Sequence, residues 1–127
     1  MASVSIEAGG DHLQALGAIR EGDVLVCSSR DEALPVTILE ALSLGKAVVT
    51  ARVGGVAEVL TDDQNALIVK PEDPRALASA MQRVIDNPEL ARRLGKAGRA
   101  TFEKSFTQDR FGADFRELVA DVIRAHP

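Results

Sequence analysis

Apolar positions along this chain switch back and forth between two spacings. "DVLVCS" (23–28), "AVVTA" (47–51) and "NALIVK" (65–70) are short runs rich in Val, nearly uninterrupted, as strands buried on both faces of a parallel sheet are. "SVSIEA" (3–8) predicts a further short strand. Between these runs the signals are helical. "DHLQALGAI" (11–19) has Asp11 in the N-cap position, and a helix over 36–44 has Pro35 leading in and Gly45 placed to end it in the left-handed region. A short helix fits "GGVAEVL" (54–60). Beyond these the chain is helical: Asp73 caps a helix with Pro74 at its first position that runs to about 86, Asn87-Pro88 punctuates it, and 88–106 and 110–125 follow. Phe111, Phe115, Leu118 and Val122 form an i, i+4, i+7, i+11 stripe, which predicts ordinary core packing. Strands alternating with helices imply an α/β fold with a parallel sheet of about four strands and right-handed crossovers.

Composition narrows the class. At 127 residues and 46% hydrophobic, the chain reads as one domain with a real core. A net charge of −4 disfavours nucleic acid or an anionic membrane as partner. Cys27 is the one cysteine, so no intrachain disulfide forms, which fits a reducing, cytoplasmic setting. No apolar run reaches the roughly 18 residues of a membrane span, and the first residues carry no signal-peptide pattern. The abrupt start at a strand-like run suggests an excised piece. His12 and His126 have no Cys or acid cluster at ligand spacing, so no metal site is expected. Gly54-Gly55 lacks the third glycine of a dinucleotide fingerprint and reads as a tight strand-to-helix turn. The basic stretch 91–104 reads as a solvated helix face.

Two acids stand out in "SSRDEALPVTILEALSLGKAVVT" (28–50). On a helical wheel Ile38, Leu39, Ala41 and Leu42 share one side, and Glu40 falls roughly opposite with Ser43, as a solvated face would. Glu32 lies on the preceding loop. The alternative reading is a ligand site. In parallel sheets ligands gather where strand gives way to helix, and 28–35 is such a turn. The helix after it offers free N–H groups from Val36 and Thr37, and the positive end of its dipole, to an anion such as a diphosphate. Glu32 and Glu40 can then accept hydrogen bonds from hydroxyls on either side of it.

The stretch 28–60 also resembles the donor-binding half of retaining GT-B glycosyltransferases of the family 4 type. The matching residues are Ser29 and Glu32, then Glu40-Ala41, Gly45, Val48-Val49, and Gly54-Gly55 with Glu58. The resemblance continues through 65–81 to the C-terminus and back to 23–29. It implies a Rossmann-like three-layer α/β sandwich, the truncated half of a GT-B fold, as a single partial domain over 1–127. By the same resemblance Glu32 would hold the transferred sugar beside its anomeric carbon, a positioning role at the catalytic position. Glu40 would bind the ribose hydroxyls, and the backbone of Ala33, Leu34, Pro35, Val36 and Thr37 would meet sugar and diphosphate. The resemblance also implies a nucleotide diphosphate sugar as donor, with no metal or other cofactor.

The chain departs from that pattern in places. Ala33 stands where the family usually has Gly, which requires a negative φ there. Asp63 and Ala66 replace glycines of the turn before the last strand. The diphosphate-clamping Gly-Arg and Lys of the family's first strand, and its N-terminal acceptor domain, have no counterpart in these residues, so the chain alone is expected to be an incomplete catalyst. A non-catalytic module that binds a sugar nucleotide, or assembles with a partner, is the rival reading; a phosphoacceptor receiver domain lacks its acids in place. In the resembled fold the strand order is 3-2-1-4-5-6 and this chain begins at strand 3. The apolar edge of 23–28 is therefore expected to pair with 3–8 or with a second copy as a homodimer.

Overall fold

The strands expected over 23–28, 47–51 and 65–70 form as β1 (Val24–Cys27), β2 (Ala47–Ala51) and β3 (Leu67–Val69) in a computed structural model that describes residues 9–126. The strand expected over 3–8 lies outside the described residues. All pairing is parallel, in the order β1-β2-β3, with Val24 beside Ala47, Cys27 beside Thr50, and Ala51 beside Val69.

Strand side chains alternate between two cores, as the pleat requires. Leu25, Cys27, Val48 and Ile68 point into one core with Ile38, Ala41, Leu42 and Val56. Val24, Val26, Ala47, Val49 and Leu67 point into the other with Val84, Leu90 and Leu94. Helices α1 (His12–Glu21), α2 (Val36–Ser43) and α3 (Val56–Val59) thus cover one face, and α4 (Pro74–Ile85) and α5 (Pro88–Ser105) cover the other. This is the three-layer Rossmann-like arrangement.

Local chemistry explains the helix ends. Asp11 and Gln14 form a reciprocal capping box at the start of α1. Asp73 and Asn87 cap α4 and α5, each with Pro at the first turn. At the end of α2, Lys46 N–H donates to Ala41 O and Gly45 N–H to Leu42 O, with Gly45 at φ 67°; this is the two-bond left-handed cap. α5 crosses that cap closely. A β-carbon on Gly95 would lie 2.2 Å from Gly45 O, and one on Gly98 would lie 2.7 Å from a methyl of Leu42. Arg99 also donates to Ser43 O. The stretch 91–104 is therefore solvated on its charged side only; Leu94, Gly95 and Gly98 are buried.

Asp63, at a glycine position of the resembled family, has φ 62°. Its carboxylate accepts from Arg83 at 3.0 Å and Arg93 at 3.2 Å, and the Arg83 bond above all holds its carboxyl below the usual range.

One expectation fails. Helix α6 (Gln108–Ala125) contains no buried residue, and Phe111, Phe115, Leu118 and Val122 are all more than half exposed. Its helical period is real, but α6 follows α5 and packs chiefly on it, away from both cores.

Candidate functional site

The turn that follows β1 carries Glu32, and it is held from two directions. From within, Ser29 Oγ donates to a Glu32 carboxylate oxygen at 3.3 Å and lies 3.4 Å from the Cys27 sulfur. From across the fold, Gly55 N–H donates to Ala33 O. Gly54 lies beneath the loop at φ 46°, and a β-carbon there would fall 1.9 Å from Glu32 O and 2.2 Å from Ala33 O. Gly54-Gly55 is the expected tight turn, and its lack of side chains lets the acid loop rest on it. Among the described residues only Asp63 and Glu72 are non-glycines with positive φ, so Ala33 meets its requirement.

The loop feeds directly into α2. Pro35, buried, is the N-cap and gives no side-chain hydrogen bond; Val36 and Thr37 are exposed. The N–H groups of Val36 and Thr37, the first two of the helix, have no intrahelical partner, whereas Ile38 N–H donates to Pro35 O at 3.1 Å. A carboxylate at 32 and free amides at 36–37 thus share one rim, at the carboxyl end of β1.

Glu40 departs from the solvated-face reading. Its side chain is 14% exposed, because α1 packs on the side of α2 that the wheel assigns to water. Its carboxylate Oε1 lies 3.3 Å from His12 Nδ1. Sequence reasoning weighed His12 only as a metal ligand and missed this contact; its place just inside the Asp11 cap gave no sign of it. Glu58, the last residue of the Gly-Gly motif, is exposed on α3.

The fold also carries open recesses. One of about 250 Å³ opens at the carboxyl ends of the three strands, lined by Ser28, Arg30, Ala51, Val69, Lys70 and Asp73. Another of about 730 Å³ lies over α4 and α5 beside Arg83, Arg93 and Lys96. Neither Glu32 nor Glu40 lines either one. Among the described residues no group of three or more His, Cys, Asp or Glu can hold a metal ion, and no helix is long and apolar enough to cross a membrane.

A sequence model for glycosyl transferases group 1 matches residues 13–101, a span holding both acids, the glycine turn and most of α5. The chain belongs to this family. Glycogen synthase of Mycobacterium tuberculosis is 31% identical over 96 residues, 76% of this chain and 23% of the relative. D-inositol 3-phosphate glycosyltransferase of Streptomyces griseus is 37% identical over 107 residues, 84% of this chain and 22% of the relative. Among solved structures, sucrose-phosphate synthase of Thermosynechococcus elongatus superposes with a TM-score of 0.84 at 28% identity, over 95% of this chain and 30% of that one. HepE of Anabaena, solved in complex with UDP, has the same fold at a TM-score of 0.77 and 21% identity, over 82% of this chain and 29% of that one. This group 1 glycosyl transferase chain therefore spans less than a third of the length of each of these proteins, and it corresponds to part of one half of their GT-B architecture.

Proposed function

We propose that this chain forms the donor side of a retaining glycosyltransferase, binding a nucleotide diphosphate sugar from which the sugar passes to an acceptor. The observation that carries the reading is the clamped rim: Glu32 and Ala33 resting on Gly54-Gly55, directly beside the uncapped start of α2. The diphosphate lies against the N–H groups of Val36 and Thr37, where the helix dipole favours negative charge. As the bond from sugar to diphosphate breaks, charge grows on the leaving group, and preorganised amides stabilise it more than they stabilise the ground state. Glu32 accepts hydroxyls of the transferred sugar and fixes its anomeric carbon next to the leaving oxygen. The acceptor hydroxyl then attacks the anomeric carbon from the face the diphosphate leaves and gives its proton to the departing diphosphate oxygen, which retains configuration. Glu40, half a helix further on, holds the ribose diol through its two oxygens. The acceptor comes from a further domain, and the setting is cytoplasmic, with Cys27 as a thiol. HepE, of like fold, binds UDP and UDP-glucose in its crystals, which supports a nucleotide sugar as the ligand class.

Calorimetric titration with UDP, GDP, ADP and their glucose conjugates tests this. Glu40→Gln is expected to weaken the nucleoside diphosphate by about 1–3 kcal/mol through loss of charged hydrogen bonds. Glu32→Gln is expected to spare the nucleoside diphosphate and weaken only the sugar nucleotide. Equal effects of both changes on both ligands overturn the assignment. Binding without transfer, even beside a supplied acceptor domain, marks the chain as a binding module instead.

A further inference from the structure

We infer that His12 is a positioning residue for the Glu40 carboxylate, and through it for the nucleotide's ribose; this rests on the reading of Glu40 as the ribose-binding acid. The two residues sit on separate helices with β1 between them in sequence, yet His12 Nδ1 lies 3.3 Å from Glu40 Oε1. Among the described residues, this imidazole is the polar side chain found against that carboxylate. The neighbouring hydroxyl, Ser43 Oγ, is turned to the Glu40 backbone carbonyl at 2.7 Å.

Stability does not explain the contact. The imidazole is 69% exposed, and ion pairs in so much solvent contribute little to folding. Nor does α1 need it: Asp11 Oδ1 accepts from Gln14 N–H and Gln14 Oε1 accepts from Asp11 N–H, both at 2.9 Å, which fixes the first turn independently. That box presets where the backbone of His12 stands and aims its ring across to α2. A carboxylate has about four lone-pair directions. With Nδ1 at 3.3 Å from Oε1, His12 would take one of them, leaving Oε2 and the other lone pair of Oε1 for two ribose hydroxyls. Held this way, Glu40 loses less side-chain freedom when the ribose arrives. Because a carboxylate only accepts, this role requires a proton on Nδ1.

Two measurements on the full chain test this. Imidazole ¹⁵N NMR without ligand is expected to find His12 Nδ1 protonated, and less so in Glu40→Ala. Binding is then measured for UDP, GDP and ADP, each beside its 2′,3′-dideoxy counterpart. For the nucleotide that wild type binds, His12→Ala is expected to weaken affinity by about three- to tenfold, the worth of one hydrogen bond. It should leave the dideoxy ligand unchanged and add nothing to Glu40→Ala. His12→Asn, which keeps a donor close to the Nδ1 position, should restore most of the affinity. If His12→Ala weakens both ligands alike, or neither while Glu40→Ala weakens the ribose form, the role of His12 is overturned and the site stands. If no nucleotide binds wild type, or Glu40→Ala changes nothing, the site reading itself falls and this inference falls with it.

Discussion

A β-carbon at Gly54 would have to share space with the carbonyl oxygens of Glu32 and Ala33, at 1.9 and 2.2 Å, in a backbone conformation at φ 46° that side chains disfavour. Gly54→Ala is therefore expected to cost roughly 1–3 kcal/mol in urea unfolding and to displace the acid loop. Sugar-nucleotide affinity should fall more than nucleoside diphosphate affinity. Gly55→Ala is the control: its β-carbon would stand 3.3 Å from Ala33 O at φ −78°, so both effects should be smaller. That a turn exists at 54–55 is written in the residues themselves. That the turn carries the loop at 32–33 is not, because it is the pairing of β1 with β2 that brings the two together. Asp63 shows the converse. A departure from a glycine pattern keeps the glycine's backbone conformation, and Arg83 and Arg93, both distant in sequence, hold its side chain.

Among the elements, α2 is the one squeezed on both sides, by α5 and the sheet on one and by α1 on the other. Its wheel identified the apolar side correctly, and Ile38, Ala41 and Leu42 are fully buried. The wheel carries no information about a second layer, so Glu40 looked solvated. The α2–α5 contact gives an ordered prediction. At Gly95 the obstacle to a methyl group is Gly45 O, part of the left-handed cap, which cannot retreat without unwinding the end of α2. Gly95→Ala should destabilise by roughly 1–3 kcal/mol in thermal or urea unfolding. At Gly98 the obstacle is a Leu42 methyl, which can turn aside, and the gain in helix propensity of about 0.5–1 kcal/mol offsets much of the strain. Gly98→Ala should lie near neutrality. Equal losses at the two positions would contradict this account of the packing.

At the scale of the whole molecule, two apolar features face outward. β1 is an edge of the three-stranded sheet among the described residues, the geometry that the expected pairing with 3–8 or with a second chain requires. α6 presents Phe111 and Phe115, stacked with centroids 6.0 Å apart, together with Leu118, Val119, Val122 and Ile123, all exposed. Phe115→Ala is therefore expected to change the unfolding free energy by less than about 0.5 kcal/mol, the range of surface substitutions. A core phenylalanine would cost about 3–5 kcal/mol. A loss of that size would reinstate the core reading of the stripe.

The residues alone were enough for β1, β2 and β3 with the helices among and after them, for the caps at Asp11, Gly45, Asp73 and Asn87, and for the parallel pairing. These are consequences of local rules: side-chain period, hydrogen bonds that close within one turn, and the conformational freedom of glycine and proline. Packing settled that Glu40 is mostly buried beside His12, that the acid loop rests on Gly54, and that α6 has no buried residue. Each of those depends on which surfaces meet after the chain has folded back, and periodicity says which face of an element is apolar without saying what covers it.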